Sequence, residues 1–165
     1  MNLKRVWRHI LMSAIQVKRC FPEAVLNGIQ SAVQQSETTH SGEIRFVVEG
    51  ELTWAKLLGD ITPRARALEV FSGLRVWDTE HNNGVLIYVL LADRVVEIVA
   101  DRGIHRHAGD VVWRDICRLM QAEFRAGRFE EGGMKGVTAI SALLRKHFPA
   151  DGENSNELPD KPVLL

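Results

Sequence analysis

One uninterrupted apolar run, Gly84–Ala92, constrains the fold of this chain more than any other feature. The run falls far short of the roughly 20 apolar residues that span a bilayer. It is rich in β-branched side chains and shows no alternation with polar residues, which is typical of a strand buried on both faces. The sequence therefore predicts a central β-strand over Gly84–Leu91.

Two further strands and a helix surround this central strand. Glu43–Glu49 alternates apolar and polar residues and predicts a strand with one drier face. Thr62-Pro63 places a capping residue before a first-turn proline and predicts a helix over Pro63–Leu74. The order strand, helix, strand indicates that the two strands are parallel and joined by a right-handed crossover. After the tight turn Asp93-Arg94, Val95–Ala100 is expected to pair back in the antiparallel sense.

The remaining segments predict helices on the faces of a small mixed sheet. Apolar residues recur at helical spacing in Leu3–Cys20, in a segment whose first helical position is Pro22, in Asp110–Ala126 and in Phe129–His147. The expected fold is an α/β sandwich of two or three layers with the element order α-α-β-α-β-β-α-α. The expected divisions are a basic amphipathic helix (1–20), the α/β domain (21–148) and a disordered acidic tail (149–165).

Composition limits the classes of function. Lys and Arg number 21, as do Asp and Glu, so the net charge is zero and a nucleic-acid-binding role is not expected. Cys20 and Cys117 lie far apart and predict free thiols. No signal peptide is apparent, which favours a cytoplasmic protein, with the basic N-terminal helix placing it at the periphery of the inner membrane. We expect a monomer or a weak dimer.

The N-terminal helix has two alternative roles. Its basic residues, interleaved with apolar ones, suit contact with an anionic membrane or with a membrane-associated protein. Alternatively, Val6, Trp7, Ile10 and Leu11 pack against the domain, and the helix is then part of the core. Of the two, the sequence favours core packing for the apolar face.

The predicted topology gathers polar residues at one end of the sheet. Parallel strands bring their starts together, and an antiparallel neighbour brings its end to the same place. His105-Arg106-His107, on an extended chain, would point both imidazoles to one side. Imidazoles suit Zn²⁺ or Ni²⁺, and carboxylates suit Ca²⁺. The candidate metal ligands are Glu43, Glu80, His81, Asp101 and His105, and the other candidate pocket residues are His40, Asp78, Asn82, Arg102 and His107.

Several segments, in order, resemble the TPM-domain family. They are Glu80–Val89 (EHNNGVLIYV), Asp93-Arg94, Val96–Val99 (VEIV), Asp101–His105 (DRGIH) and Phe124–Gly132 (FRAGRFEEG). The similarity runs from about Glu43 to Phe148. It implies an α/β sandwich, often attached to a transmembrane helix or signal peptide. Members include a thylakoid-lumen protein linked to photosystem II repair and credited with weak acid phosphatase activity, and several members bind a divalent cation, typically calcium, at acidic loops.

This chain departs from the family pattern at the implied metal site. The common Asp-Asn-Gly reads Asn82-Asn83-Gly84, and the common Gly-Tyr-Gly-Leu-Glu reads Asp101–His105. One carboxylate is therefore absent at Asn82 and another is replaced by His105, whereas Asp101 is gained. Fewer hard oxygen ligands disfavour Ca²⁺, and the histidines favour a borderline metal.

Three functions fit these observations. The first is a binding or accessory module whose pocket holds a divalent metal or a small anion. The second is a metal-dependent phosphatase of low activity, in which a bound cation would activate water and Arg102 would counter the developing charge. The third is an inert scaffold whose N-terminal helix binds a membrane or a partner. The sequence contains no recognisable pair of nucleophile and general base, so it predicts no catalytic residue.

Overall fold

The computed structural model describes residues 3–150, 152 and 156–165. Within them the chain forms seven helices and four strands. In chain order these are α1 (Leu3–Leu11), α2 (Ala14–Cys20), α3 (Glu23–Glu37), β1 (Ile44–Glu49), α4 (Trp54–Leu58), α5 (Pro63–Gly73), β2 (Val85–Leu90), β3 (Val95–Ala100), α6 (Arg102–Arg125), α7 (Phe129–His147) and β4 (Val163–Leu164).

The four strands form one mixed sheet in the order β3-β2-β1-β4. β1 and β2 are parallel, with Ile44 opposite Val85, and β2 and β3 are antiparallel, with Val85 opposite Ala100. The predicted α/β class, the parallel crossover and the antiparallel hairpin are therefore confirmed. Thr62 caps α5 by accepting the Ala65 N–H at 3.1 Å, as its sequence predicts.

Helices cover both faces of the sheet, giving three layers. On one face, α5 packs Ala67 and Val70 against alternate residues of β1 and β2, including Val47 and Leu86. On the other face, α3, α6 and α7 pack against the intervening residues. The expectation of one drier face on β1 is wrong, because all six of its residues are buried. Its polar residues are accommodated by specific bonds: Arg45, for example, donates to the Lys161 carbonyl at 2.9 Å.

Three helix boundaries differ from the sequence prediction. Leu3–Cys20 is two helices, because Ser13 forms a capping box with Gln16 and starts α2. Pro22 lies at the cap of α3, one residue before its first helical position. α6 begins at Arg102, capped by Asp101, and bends at Gly109, whose φ of 73° breaks the helical backbone. The sequence prediction starts that helix eight residues too late.

The segment 156–165 packs against the sheet, in place of the disorder expected from its composition. Val163 and Leu164 pair with Val47 and Val48 in the parallel sense, and Leu158 is buried. The Glu157 and Leu158 N–H groups donate to Glu43 at 3.1 and 3.2 Å. The sequence of this segment has no strong preference for regular structure. The segment is ordered because it pairs with the otherwise open edge of β1.

Candidate functional site

The starts of β1 and β2 and the end of β3 lie at one end of the sheet, called here the sheet end. The Asp101 N–H donates to the Gly84 carbonyl at 2.9 Å, and the Gly103 N–H donates to the Asn82 carbonyl at 2.9 Å. Asn82 adopts a left-handed conformation, with φ of 53°. These bonds join the turn before β2 to the start of α6 and bring the loop residues of both segments together.

Two carboxylates at the sheet end, those of Glu43 and Asp101, accept backbone N–H groups of the protein itself. Both Glu43 oxygens accept backbone N–H groups of the C-terminal segment. Glu157 in turn accepts the Glu80 N–H at 3.0 Å. Asp101 Oδ1 accepts the Arg102 N–H at 2.6 Å, while Asp101 Oδ2 is buried and accepts no hydrogen bond from the described residues. Asp78, Glu80 and His81 are exposed.

The histidines at this end do not converge. His105 and His107 belong to α6, so the extended-chain interpretation of their spacing is wrong. His105 Nδ1 accepts the Trp113 indole N–H at 3.2 Å, whereas His107 stacks on His147 with ring centroids 4.5 Å apart. His40 is fully buried beside Pro149, and burial lowers its pKa below the ordinary histidine value.

The donor set does not fit a metal centre. Within residues 3–150, 152 and 156–165, no group of three or more His, Cys, Asp or Glu side chains is placed to hold a metal ion. Glu43 and Asp101 already accept backbone N–H groups, and His105 accepts from Trp113. A cavity of about 600 Å³ does open here, lined by Trp77, Asn82, Asp101, Arg102 and His105 among others.

An acidic cluster under the C-terminal segment was not anticipated from the sequence. Glu37, the last residue of α3, is buried and accepts the Ile44 N–H at 3.1 Å. Burial, reinforced by the nearby Glu43 carboxylate and by Asp160, raises the pKa of Glu37 to about 9. The pKa of Glu43 is raised chiefly by burial. Glu37 therefore retains its proton in the folded protein at neutral pH.

Glu37 is expected to make the fold less stable as pH rises. A carboxyl group whose folded pKa exceeds its unfolded value binds more protons when folded, so its contribution is complete below about pH 4.5 and is lost as pH rises through about 9. Urea unfolding between pH 5 and 9 should show this decline, and Glu37→Gln should flatten it because the amide oxygen can still accept the Ile44 N–H. An equally steep decline in Glu37→Gln would contradict the assignment.

A second candidate site lies at the opposite end of the sheet, where α1 docks through polar side chains. Arg5 Nε lies 2.9 Å from Asp93 Oδ2 in the β2–β3 turn, and its Nη2 donates to the Ile61 carbonyl at 2.7 Å. His9 Nδ1 accepts the Leu52 N–H at 3.0 Å, and His9 Nε2 lies 3.3 Å from Asp93 Oδ1. The His9 and Asp93 side chains are 2% and 5% exposed. The polar side of this helix is therefore its buried side.

The apolar side of α1 faces outwards. Leu3, Trp7, Ile10 and Leu11 are all exposed, and Trp7 and Leu11 are 56% and 67% exposed. Trp54 and Leu58 of α4 are 59% and 62% exposed, and Ile10 and Trp54 line one shallow cleft. The sequence preference for core packing of this face is wrong, because the buried contacts are made by Arg5 and His9. We call the six exposed residues Leu3, Trp7, Ile10, Leu11, Trp54 and Leu58 the apolar face.

Comparisons with known proteins agree with this fold. The family model of the TPM domain matches residues 19–143. The BA42 protein of the psychrophilic bacterium Bizionia argentinensis is similar, with 30% identity and a TM-score of 0.76 over 86% of this chain and 93% of that one. The N-terminal domain of a protein from P. gingivalis has 26% identity and a TM-score of 0.53 over 84% of this chain and 79% of that one.

Two findings complete the comparison. None of the curated proteins matches this chain. No helix in the described part of the chain is both long and apolar enough to span a bilayer. The family match covers most of the sequence, including β1, β2, β3, the whole of α6 and most of α7, whereas β4 lies outside it. The chain belongs to the TPM-domain family.

Proposed function

We propose that this TPM-domain protein is an accessory module that docks on an anionic membrane surface through the apolar face. The observation that carries the proposal is the inverted orientation of α1, which is held to the domain by Arg5, Arg8 and His9 and presents its apolar residues outwards. Surface helices of globular proteins normally bury their apolar stripe. An exposed apolar stripe of this kind marks an interaction site.

The chemistry of the face suits the interface of a bilayer. Tryptophan is enriched at the boundary between lipid headgroups and acyl chains, because its ring is apolar and its N–H is polar. Trp7 and Trp54 lie on neighbouring helices, and four aliphatic side chains accompany them. Fully burying one large apolar side chain contributes about 1.5–3 kcal/mol, so even shallow insertion of several such residues gives useful affinity.

The charge around the face favours anionic lipids. Lys4, Arg8, Lys18 and Arg19 are exposed on α1 and α2, and the first acidic residue of the chain is Glu23. A basic residue near an anionic surface contributes about 1 kcal/mol. Of the acidic residues nearby, Asp93 is paired with Arg5 and Arg8, Asp60 is paired with Arg5, and Glu51 lines the cleft beside Trp54. The α1–α2 segment, which carries four of the six residues of the apolar face, is therefore positively charged.

The experiment is co-sedimentation of the full chain with neutral vesicles and with vesicles containing anionic phosphatidylglycerol. We expect binding to the anionic vesicles that weakens with salt, and a loss of about 10-fold or more in Trp7→Ser/Leu11→Ser, because two apolar side chains no longer insert. Val111→Ser/Leu119→Ser is the matched control, since both residues are exposed on α6, away from the face. This control should bind as the unaltered protein does.

Three outcomes would overturn the proposal. The first is absence of vesicle binding by the unaltered protein, and the second is equal binding by Trp7→Ser/Leu11→Ser. The third is a dimer in sedimentation velocity that Trp7→Ser/Leu11→Ser dissociates, which would assign the face to a second copy of the chain. The sheet end is not part of the proposal, because Glu43, Asp101 and His105 already have protein partners.

A further inference from the structure

A cavity of about 490 Å³ lies between α2, the β2–β3 hairpin and the helices α6 and α7. Its volume is in the range of small-molecule sites, which spans roughly 300–1,000 Å³. The residues that give the cavity its apolar character are Met12, Cys20, Leu91, Val95, Phe124 and Phe129. A site of this composition selects a ligand with an extended apolar part.

Two arginines also line this cavity, and neither is paired within the described residues. Arg94 lies in the hairpin turn with φ of 56°, and Arg125 is the last residue of α6; both are exposed, with no hydrogen bond or ion pair of their side chains. The polar remainder of the lining is Gln16 and Gln121, and no carboxylate is among the lining residues. The cavity therefore combines an apolar interior with uncompensated positive charge.

We propose that this cavity binds a single-chain amphiphile with an anionic head group. The acyl chain occupies the apolar interior, and Arg94 and Arg125 contact the head group. A guanidinium recognises either a carboxylate or a phosphate with paired hydrogen bonds, so the shared chemistry covers a fatty acid and a lysophospholipid. A neutral or cationic head group would leave both guanidinium groups without an anion.

The cavity lies close to the apolar face, but ligand binding in the cavity does not depend on that face. Met12 joins α1 to α2, and Arg94 directly follows Asp93, to which α1 is bound. The cavity thus lies at the end of the molecule that carries the apolar face. Binding of a monomeric amphiphile requires no bilayer, so this proposal goes beyond membrane docking and can be tested separately from it.

The first experiment measures calorimetric binding of dodecanoate and of lauroyl lysophosphatidate, each below its micelle concentration, to the full chain. Binding of either compound supports the proposal and identifies the head group, and binding of neither overturns it. Arg94→Gln/Arg125→Gln should weaken binding about 10-fold or more, because both head-group contacts are lost. Arg75→Gln/Arg106→Gln is the matched control, since it removes two exposed arginines that are distant from the cavity and whose side chains make no bond to another described residue. Equal weakening in this control, or equal affinity for dodecanol, would overturn the anion assignment.

The second experiment locates the ligand through the two thiols. Cys20 lines the cavity, whereas Cys117 lines a different cavity beside α6, and both are half-buried and free. Dodecanoate should slow iodoacetamide alkylation of Cys20 and leave Cys117 unchanged, as resolved by peptide mass spectrometry. Equal protection of both thiols, or of neither, would contradict binding in this cavity. Trp7→Ser/Leu11→Ser should retain the protection of Cys20, which separates this result from the outcome of the vesicle experiment.

Discussion

Gly84→Ala is expected to destabilise the fold by about 3 kcal/mol or more, enough to leave much of the chain unfolded. A Cβ at position 84 would lie 1.9 Å from the Val76 carbonyl oxygen. The backbone fixes the position of the Cβ, and the atom that it meets is a backbone oxygen, so no side-chain rotation relieves the contact. Val76 is fully buried at the end of the turn that follows α5, and Gly84 itself accepts the Asp101 N–H at the start of β2. Relief would require the turn to separate from the central strand.

The measurement is the free energy of urea unfolding, followed by circular dichroism. Gly73→Ala is the matched control, because nothing lies within 4 Å of a Cβ at position 73, at the end of α5. Alanine has the higher helix propensity, by up to about 1 kcal/mol, so Gly73→Ala should be neutral or stabilising. If Gly84→Ala proves as stable as Gly73→Ala, the close approach of Val76 to the central strand is not what requires glycine.

Strands β1, β2 and β3 and the long helices could be predicted from the sequence because their signals are local. The apolar run around β2, the Thr62-Pro63 cap and the tight turn before β3 each specify structure within a few residues. The start of α6 also has a local signal, since Asp101 is a favourable capping residue. Gly103 and Gly109 obscure that signal, because glycine is a poor helix former.

The orientation of α1 and the path of the C-terminal segment could not be predicted, because distant residues determine them. Arg5 and Asp93 are 88 positions apart in the sequence, and Arg5 and Asp60 are 55 apart. A helix with apolar and basic sides normally buries the apolar one, and here a specific carboxylate reverses that choice. Val163 and Leu164 likewise form a strand only because β1 has an edge on which to pair.

The sheet end shows the same limit for function. Topology predicts which loops meet there, but it does not predict how their donors are used. Glu43 accepts N–H groups more than 100 positions later in the chain, and His105 accepts an indole N–H from the following turns of its own helix. Three of the five candidate ligands, Glu43, Asp101 and His105, therefore make structural hydrogen bonds, whereas Glu80 and His81 are exposed.

The second large effect is expected from Arg66→Met, which should destabilise the fold by about 3–5 kcal/mol. Glu49, at the end of β1, has a side chain only 5% exposed. Arg66 of α5 holds it with Nε 2.9 Å from Oε2 and Nη2 3.0 Å from Oε1, and the fully buried Tyr88 hydroxyl donates to the same carboxylate. Burial, followed by the bond to Glu49, raises the pKa of Tyr88, so the phenol remains a donor at all physiological pH values. Removing Arg66 leaves the Tyr88 hydroxyl as the one hydrogen-bond partner of the buried Glu49 carboxylate among the described residues.

The decisive comparison is a double-mutant cycle with Glu49→Leu, measured by urea unfolding. Replacing both partners with apolar residues removes the cost of the unpaired charge, so Arg66→Met/Glu49→Leu should be more stable than Arg66→Met alone by about 1–4 kcal/mol. The double variant should still be less stable than the unaltered protein, because the Tyr88 hydroxyl then lacks an acceptor. Adding Tyr88→Phe to the double variant should recover this remaining loss of stability. Strictly additive losses in the cycle would mean that Arg66 stabilises α5 through the packing of its aliphatic stem. In that case the carboxylate that Arg66 neutralises would not be what fixes α5 on the sheet.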